Sequence, residues 1–234
     1  MVNNKNIQGL REMKDIIDIV GAQNIQNQDQ QNIVQQTIHQ FAESLGNAID
    51  AKDSCTSSHS EDVAVITQEI CLQMGLCQED CTALHIAGHL HDIGKIGIPD
   101  SILNKKGGLT DAEYEVIKQH PVTGAGIVGP VEFFSGDNGI AQMILHHHER
   151  YDGRGYPERL KGEQIPLGAR IIAVADTISA MMQDRPYRDA IPYKRVVKEI
   201  VNCSGTQFDP AIVSAFLNIS DKIEKCIAEI KESD

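Results

Sequence analysis

Ile144-Leu145-His146-His147-His148-Glu149-Arg150-Tyr151-Asp152-Gly153-Arg154-Gly155-Tyr156-Pro157 is the stretch around which the chain is organised. Three consecutive histidines run into a carboxylate and then into a loop with two glycines, a tyrosine and a proline, and this concentration of imidazole points to bound metal. Neighbouring side chains on a helix point ~100° apart, so adjacent histidines suit two ions side by side better than one shared ion. The Asp152-Gly153-Arg154-Gly155-Tyr156-Pro157 run cannot continue a helix, because glycine is costly there and proline disfavours α geometry in the residue before it. A rigid loop at the mouth of a metal centre is the expectation.

At 234 residues the chain can hold one well-buried domain with an extension. Aromatic residues make up 4% with no Trp, and Ala, Ile, Val and Leu carry the apolar share, which favours an all-α architecture of helix packed on helix. The formal charge of -12 and the absence of Lys/Arg runs longer than two residues argue against a surface for DNA, RNA polymers or anionic membranes. The six cysteines form no Cys-x-x-Cys pair and read as reduced, buried thiols. No segment approaches the ~20 apolar residues of a membrane span, and the amino terminus lacks a signal peptide's apolar core. A soluble, cytoplasmic protein is expected.

Leu10, Met13, Ile16, Ile17 and Val20 recur at helical spacing, and after a Gln/Asn-rich stretch Val34, Ile38, Phe41, Leu45 and Ala48 step at a/d heptad spacing. That pattern is too short to argue for a coiled coil. An amphipathic helix packed on its own domain is the preferred reading, with a homodimer through these N-terminal helices as the alternative. Ser58 and Glu61 form a capping-box pattern ahead of a helix burying Val63, Ile66, Ile70 and Met74, with Gly75 placed to end it. A second helix runs from about Gln78 to His91-Asp92. Thr110-Asp111-Ala112-Glu113 is another capping box, opening a helix that runs to His120 and stops at Pro121. Further helices lead from Gly139 into the histidines and from Leu167 to Met182. The tail reads as three closing helices, one of them capped by Asp209 ahead of Pro210.

A second constellation is His91-Asp92 with Lys95 about one turn on. The imidazole can take one ion while the carboxylate, with two oxygens, bridges a pair. In order the chain holds His59, His91-Asp92 with Lys95, His120-Pro121, His147-His148-Glu149, Asp152-Gly153-x-Gly155-Tyr156-Pro157, Ala175-Asp176, Asp184-Arg185-Pro186-Tyr187-Arg188 and Gln207-Phe208-Asp209-Pro210. This succession resembles the HD-GYP family of metal-dependent phosphodiesterases, a branch of the HD superfamily, over about Ile49 to Leu217.

The resemblance implies an HD-domain helical core with two additional C-terminal helices over residues 51–234, preceded by an N-terminal helical extension over 1–50. It implies that His59, His91, Asp92 and Asp176 match the single-metal set of the superfamily. His120, His147 and His148 then match the additional ligands of a second ion, Asp92 bridges the pair, and iron or manganese are the usual metals. Nitrogen and oxygen ligands without a thiolate fit those metals better than a closed structural zinc site. The substrate implied is cyclic di-GMP, cut to pGpG and on to GMP by a bridging hydroxide made available near neutral pH. Lys95 would neutralise a phosphate oxygen or assist the leaving group. Tyr156, Arg185 and Arg188 would line the substrate groove, by stacking and by guanidinium forks.

Ser179 stands where relatives commonly carry a second Asp, and Cys55 where three-metal members carry a carboxylate, so two ions are expected. Glu158-Arg159 replaces a more usual glycine-containing pair. The Glu-x-x-Asp-Gly frame selects His147 and His148 as ligands and leaves His146 in a packing or supporting role, and Glu149 is read as orienting a ligand histidine. Two other functions stay open: a hydrolase of another cyclic dinucleotide such as a cyclic GMP-AMP, and a module that senses the nucleotide or docks a diguanylate cyclase without turnover.

Overall fold

The computed structural model describes residues 33–53, 58–136, 138–183 and 190–233. The Leu10–Val20 pattern, Cys55, Arg185 and Arg188 lie outside them. Among the described residues the secondary structure is helical, with one isolated bridge between Ser204 and Phe208 and no strand. Two compact units are present, Met1–Phe41 and Ala42–Asp234.

Residues 33–52 are helical (α1). The heptad stripe is not the face it buries: Val34, Phe41 and Ala48 are exposed, whereas Ala42, Ile49 and Asp50 are buried. Polar anchors set this rotation. Asp50 accepts from the backbone N and the hydroxyl of Ser60 at 2.9 and 3.0 Å, and Lys52 donates to the Ile98 carbonyl at 3.1 Å and to Asp100 at 2.6 Å.

Helix α2 (His59–Gln73) packs on α3 (Gln78–Leu90) and on α8 (Leu167–Met182) through Val63, Ile66, Ile70, Leu84, Ile172 and Ile178. Burying each such aliphatic side chain contributes about 1.5–3 kcal/mol. The Ser58 capping box does not form: Ser58 takes a left-handed φ of 56° and its hydroxyl makes no cap bond. Gly75, with φ 74°, ends α2 as its sequence position predicts. After α3 the chain turns through a 3-10 segment, Ile93–Gly97, into the short α4 (Asp100–Leu103) and then α5 (Asp111–Ile117), where both bonds of the Thr110/Glu113 capping box are made.

The largest departure from the sequence reading is at Pro121. It does not stop a helix; it sits in the first turn of a new one, α6 (His120–Val128), where its missing N–H leaves no backbone bond unmade. Helix α7 (Ile140–His146) packs on α6, α3 and α8, and α9 (Tyr193–Asn202), α10 (Pro210–Asn218) and α11 (Ser220–Ser233) close the domain. Asp209 caps α10 by accepting from Ala211 N at 2.8 Å and pairs with Arg170.

Candidate metal centre

The starts of α2 and α6, the ends of α3 and α7 and the middle of α8 converge on one cluster of largely buried side chains, the donor pocket. Gly94 makes the convergence possible, because a Cβ there would stand 1.9 Å from the His120 carbonyl oxygen and 2.5 Å from Gly124 N. The 3-10 segment that carries Asp92 and Lys95 can therefore lie flat on the start of α6, and His120 enters the pocket.

Two groups of donor atoms result, each with its members within 4.8 Å of one another: Asp92, His120, His147 and His148 in one, and His59, His91 and Asp176 in the other. Asp92 joins them. Its Oδ1 lies 3.2 Å from His120 Nε2, while its Oδ2 lies 3.3 Å from His91 Nε2 and 3.8 Å from His59 Nε2. Asp176 Oδ1 is 3.3 Å from His59 Nε2 and 4.0 Å from His91 Nε2. The pocket thus brings together His59, His91, Asp92, His120, His147, His148 and Asp176.

Backbone carbonyls orient the rings. Nδ1 of His91, His120 and His147 lies 2.7, 2.8 and 2.7 Å from the carbonyls of Gly88, Ile117 and Ile144. A ring that donates from Nδ1 presents the Nε2 lone pair inward, the form that binds metal. His91 Nε2 is buried and has no hydrogen-bond partner among the described residues. His120 and His147 face each other Nε2 to Nε2 at 3.3 Å. Lone pairs so arranged, beside two carboxylates, fit divalent cations held by nitrogen and oxygen.

Burial, together with His148 and the other rings, holds His147 well below the ordinary histidine range, and burial with His120 beside it lowers His148 to about 4. Both rings are neutral and ready to ligate. Burial works against the charge of Asp92, yet Lys95 and His91 outweigh it and keep the carboxyl well below its usual range. Lys95 Nζ is clamped between Asp92 Oδ2 at 2.7 Å and Asp53 Oδ2 at 2.8 Å. Burial opposes its charge too, but the two carboxylates hold the ammonium above the ordinary lysine range.

The loop after the histidines sits directly on them. A Cβ on Gly155 would meet Arg150 N at 2.4 Å and His148 O at 2.6 Å, so only glycine lets the loop close on this backbone. Tyr156 comes to rest with its ring 5.0 Å from that of His148. Glu149 does not reach a ligand histidine as expected. Its Oε1 accepts from Glu158 N at 2.7 Å, so it ties down the loop instead. His146 spends both nitrogens, on the Gln142 carbonyl at 3.0 Å and on Glu158 at 3.2 Å, and stays outside both donor groups.

A cavity of about 560 Å³ opens beside the pocket, lined by Tyr114, Lys118, Gln119, Tyr156, Pro157 and Arg159 among others. Lys118 Nζ stands 5.4 Å from the centroid of Tyr114 and 5.8 Å from that of Tyr156. The sequence reading missed Tyr114 and Lys118. They carry no motif, and only the packing of α5 against the loop brings them to Tyr156.

Residues 43–212 match the HD domain family. The chain is 40% identical over 183 residues to a cyclic di-GMP phosphodiesterase of Thermotoga maritima, covering 78% of this chain and 50% of that protein. It is 36% identical over 168 residues to 3'3'-cGAMP-specific phosphodiesterase 1 of Vibrio cholerae, covering 72% and 38%. The chain therefore spans half or less of the length of these curated relatives. In fold it is similar to the crystal structure of a cyclic GMP-AMP phosphodiesterase of V. cholerae, V-cGAP3, with a TM-score of 0.61 at 22% identity over 79% of this chain and 49% of that one. Fold, family match and motif succession agree: the chain belongs to the HD domain family, in its HD-GYP branch.

Proposed function

We propose that this chain is a metal-dependent phosphodiesterase that adds water across one P–O bond of cyclic di-GMP to give linear pGpG, with a second cleavage to GMP. The observation that carries this is Asp92, whose two oxygens point to different donor groups, the arrangement a carboxylate needs to bridge a pair of ions. His59, His91 and Asp176 would hold one ion and His120, His147 and His148 the other. Two divalent ions held there would supply Lewis acidity toward a phosphodiester and lower the pKa of water. Iron or manganese fit the nitrogen and oxygen donors.

Lys95 acts as a fixed positive charge beside the reacting phosphate. Held above the ordinary lysine range between Asp53 and Asp92, it keeps its proton at neutral pH and is a poor acid for the leaving group. Tyr156 stacks on a guanine at the mouth of the pocket, and Arg185 and Arg188 hold phosphate or a base edge.

A cytoplasmic location accords with a nucleotide substrate, and no helix among the described residues is long and apolar enough to cross a membrane. Residues 1–50 serve as an N-terminal extension that meets a second copy of the chain, which the exposed Val34 and Phe41, a heptad apart, support, and a diguanylate cyclase is a further partner.

Chromatography of products from cyclic di-GMP and 3'3'-cGAMP, with iron or manganese added to oxygen-free protein, tests the proposal. Conversion of cyclic di-GMP to pGpG or GMP is expected. Faster cleavage of cGAMP would move the substrate assignment to that dinucleotide, and binding without cleavage would make the chain a sensor.

A further inference from the structure

Ser179 Oγ lies 2.9 Å from His59 Nδ1 and 2.9 Å from Asp62 Oδ2, and all three residues are buried. A serine hydroxyl has one proton, and the Asp62 carboxylate can only accept. Ser179 therefore donates to Asp62, and its oxygen accepts from His59 Nδ1–H. The Nε2 lone pair of His59 is thereby aimed at Asp176, 3.3 Å away.

His91, His120 and His147 get the same service from carbonyls three residues earlier in their own segments. His59 is the first residue of α2 and draws its acceptor from α8 instead. The Asp62 carboxylate is 1% exposed, its Oδ1 has no hydrogen-bond partner among the described residues, and burial raises its carboxyl to about 6. A core position occupied this way costs stability, and Lys231 and Gln183 also act on the carboxylate alongside Ser179 and His59.

We propose that Asp62, acting through Ser179, is a positioning residue that fixes the tautomer and ring orientation of His59 as a metal ligand. This inference rests on the ligand role of His59 proposed above.

The test is metal binding by the full chain, stripped of metal and titrated with Mn²⁺ against a competing chelator. The variants are Ser179→Ala, Asp62→Asn and the double variant, with His59→Ala as reference and melting of the metal-free proteins alongside. Ser179→Ala should weaken by about 10–100-fold the binding step that His59→Ala abolishes, and leave the other step unchanged. Asp62→Asn should weaken the same step without lowering the melting temperature of the metal-free protein. The double variant should be no worse than Ser179→Ala, because both residues act along one chain of hydrogen bonds.

Unchanged affinity in both single variants, additive losses, or equal weakening of both steps together with a lower melting temperature would each overturn the relay while leaving the ligand assignment standing. A parent protein that binds no Mn²⁺ would overturn the ligand assignment itself, and the relay with it.

Discussion

His120 and His147 meet nitrogen to nitrogen, Nε2 to Nε2 at 3.3 Å, with their Nδ1 atoms turned to carbonyls behind them. Two lone pairs at that separation repel each other until a cation accepts both. The protein should therefore be more stable with metal than without. At an ion concentration 100 times the dissociation constant the gain is about 2.7 kcal/mol, read as a rise in melting temperature on adding Mn²⁺ and its reversal by chelator. Identical melts with and without the ion would contradict it.

His91 gives the pH dependence. Burial disfavours its charged form, but Asp92, 3.3 Å away, outweighs burial and raises the imidazole from 6.5 to about 9. A raised folded value means the metal-free protein draws stability from this proton below pH 6.5 and loses it as the pH climbs through about 9. Metal needs the neutral ring, so binding there releases a proton, and affinity should rise by about tenfold per pH unit across that window. Titrations with Mn²⁺ at several pH values check the slope, and melts of the metal-free protein check the opposite trend in stability.

Gly94→Ala should cost about 1–3 kcal/mol or more, because the added carbon has only backbone to push against. The displaced group is His120, so metal binding should weaken in step with denaturant stability. A variant less stable but with unchanged metal affinity would show that the close approach does not position the ligand.

Tyr156 and Lys118 share one wall of the cavity beside the metal centre. Tyr156→Ala should lose about 1–3 kcal/mol of base stacking, seen mainly as a higher KM for the dinucleotide, while Tyr156→Phe keeps most of it. Lys118→Ala should raise KM by a smaller factor, with a weaker dependence on salt than the parent.

The candidate donors were legible through the succession of motifs: His91-Asp92 alone is a common dipeptide, and the resemblance to the HD-GYP family singled out the residues that the structure gathers into two donor groups. Helix limits were legible where caps and breakers mark them, as at Thr110, Gly75 and Asp209. Pro121 was misread because the same ring that ends one helix begins another, and spacing alone does not say which. The rotation of α1 was misread because Asp50 and Lys52 anchor it through partners distant in sequence, Ser60 and Ile98. Glu149 was assigned to a histidine when its partner is the backbone of Glu158, a contact that depends on how the loop folds back. Asp62 had no signal at all, since a helix-face aspartate reads as solvated until Ser179 is seen against it.

Metal content of the Asp92→Asn variant, by elemental analysis of oxygen-free protein alongside turnover of cyclic di-GMP, tests the bridge most directly. Lys95 keeps Asp53 as a partner in that variant, so the fold retains its clamp. The parent should hold two ions per chain and the variant should lose metal and turnover together. A variant that keeps both ions and still cleaves the dinucleotide would contradict a bridging Asp92.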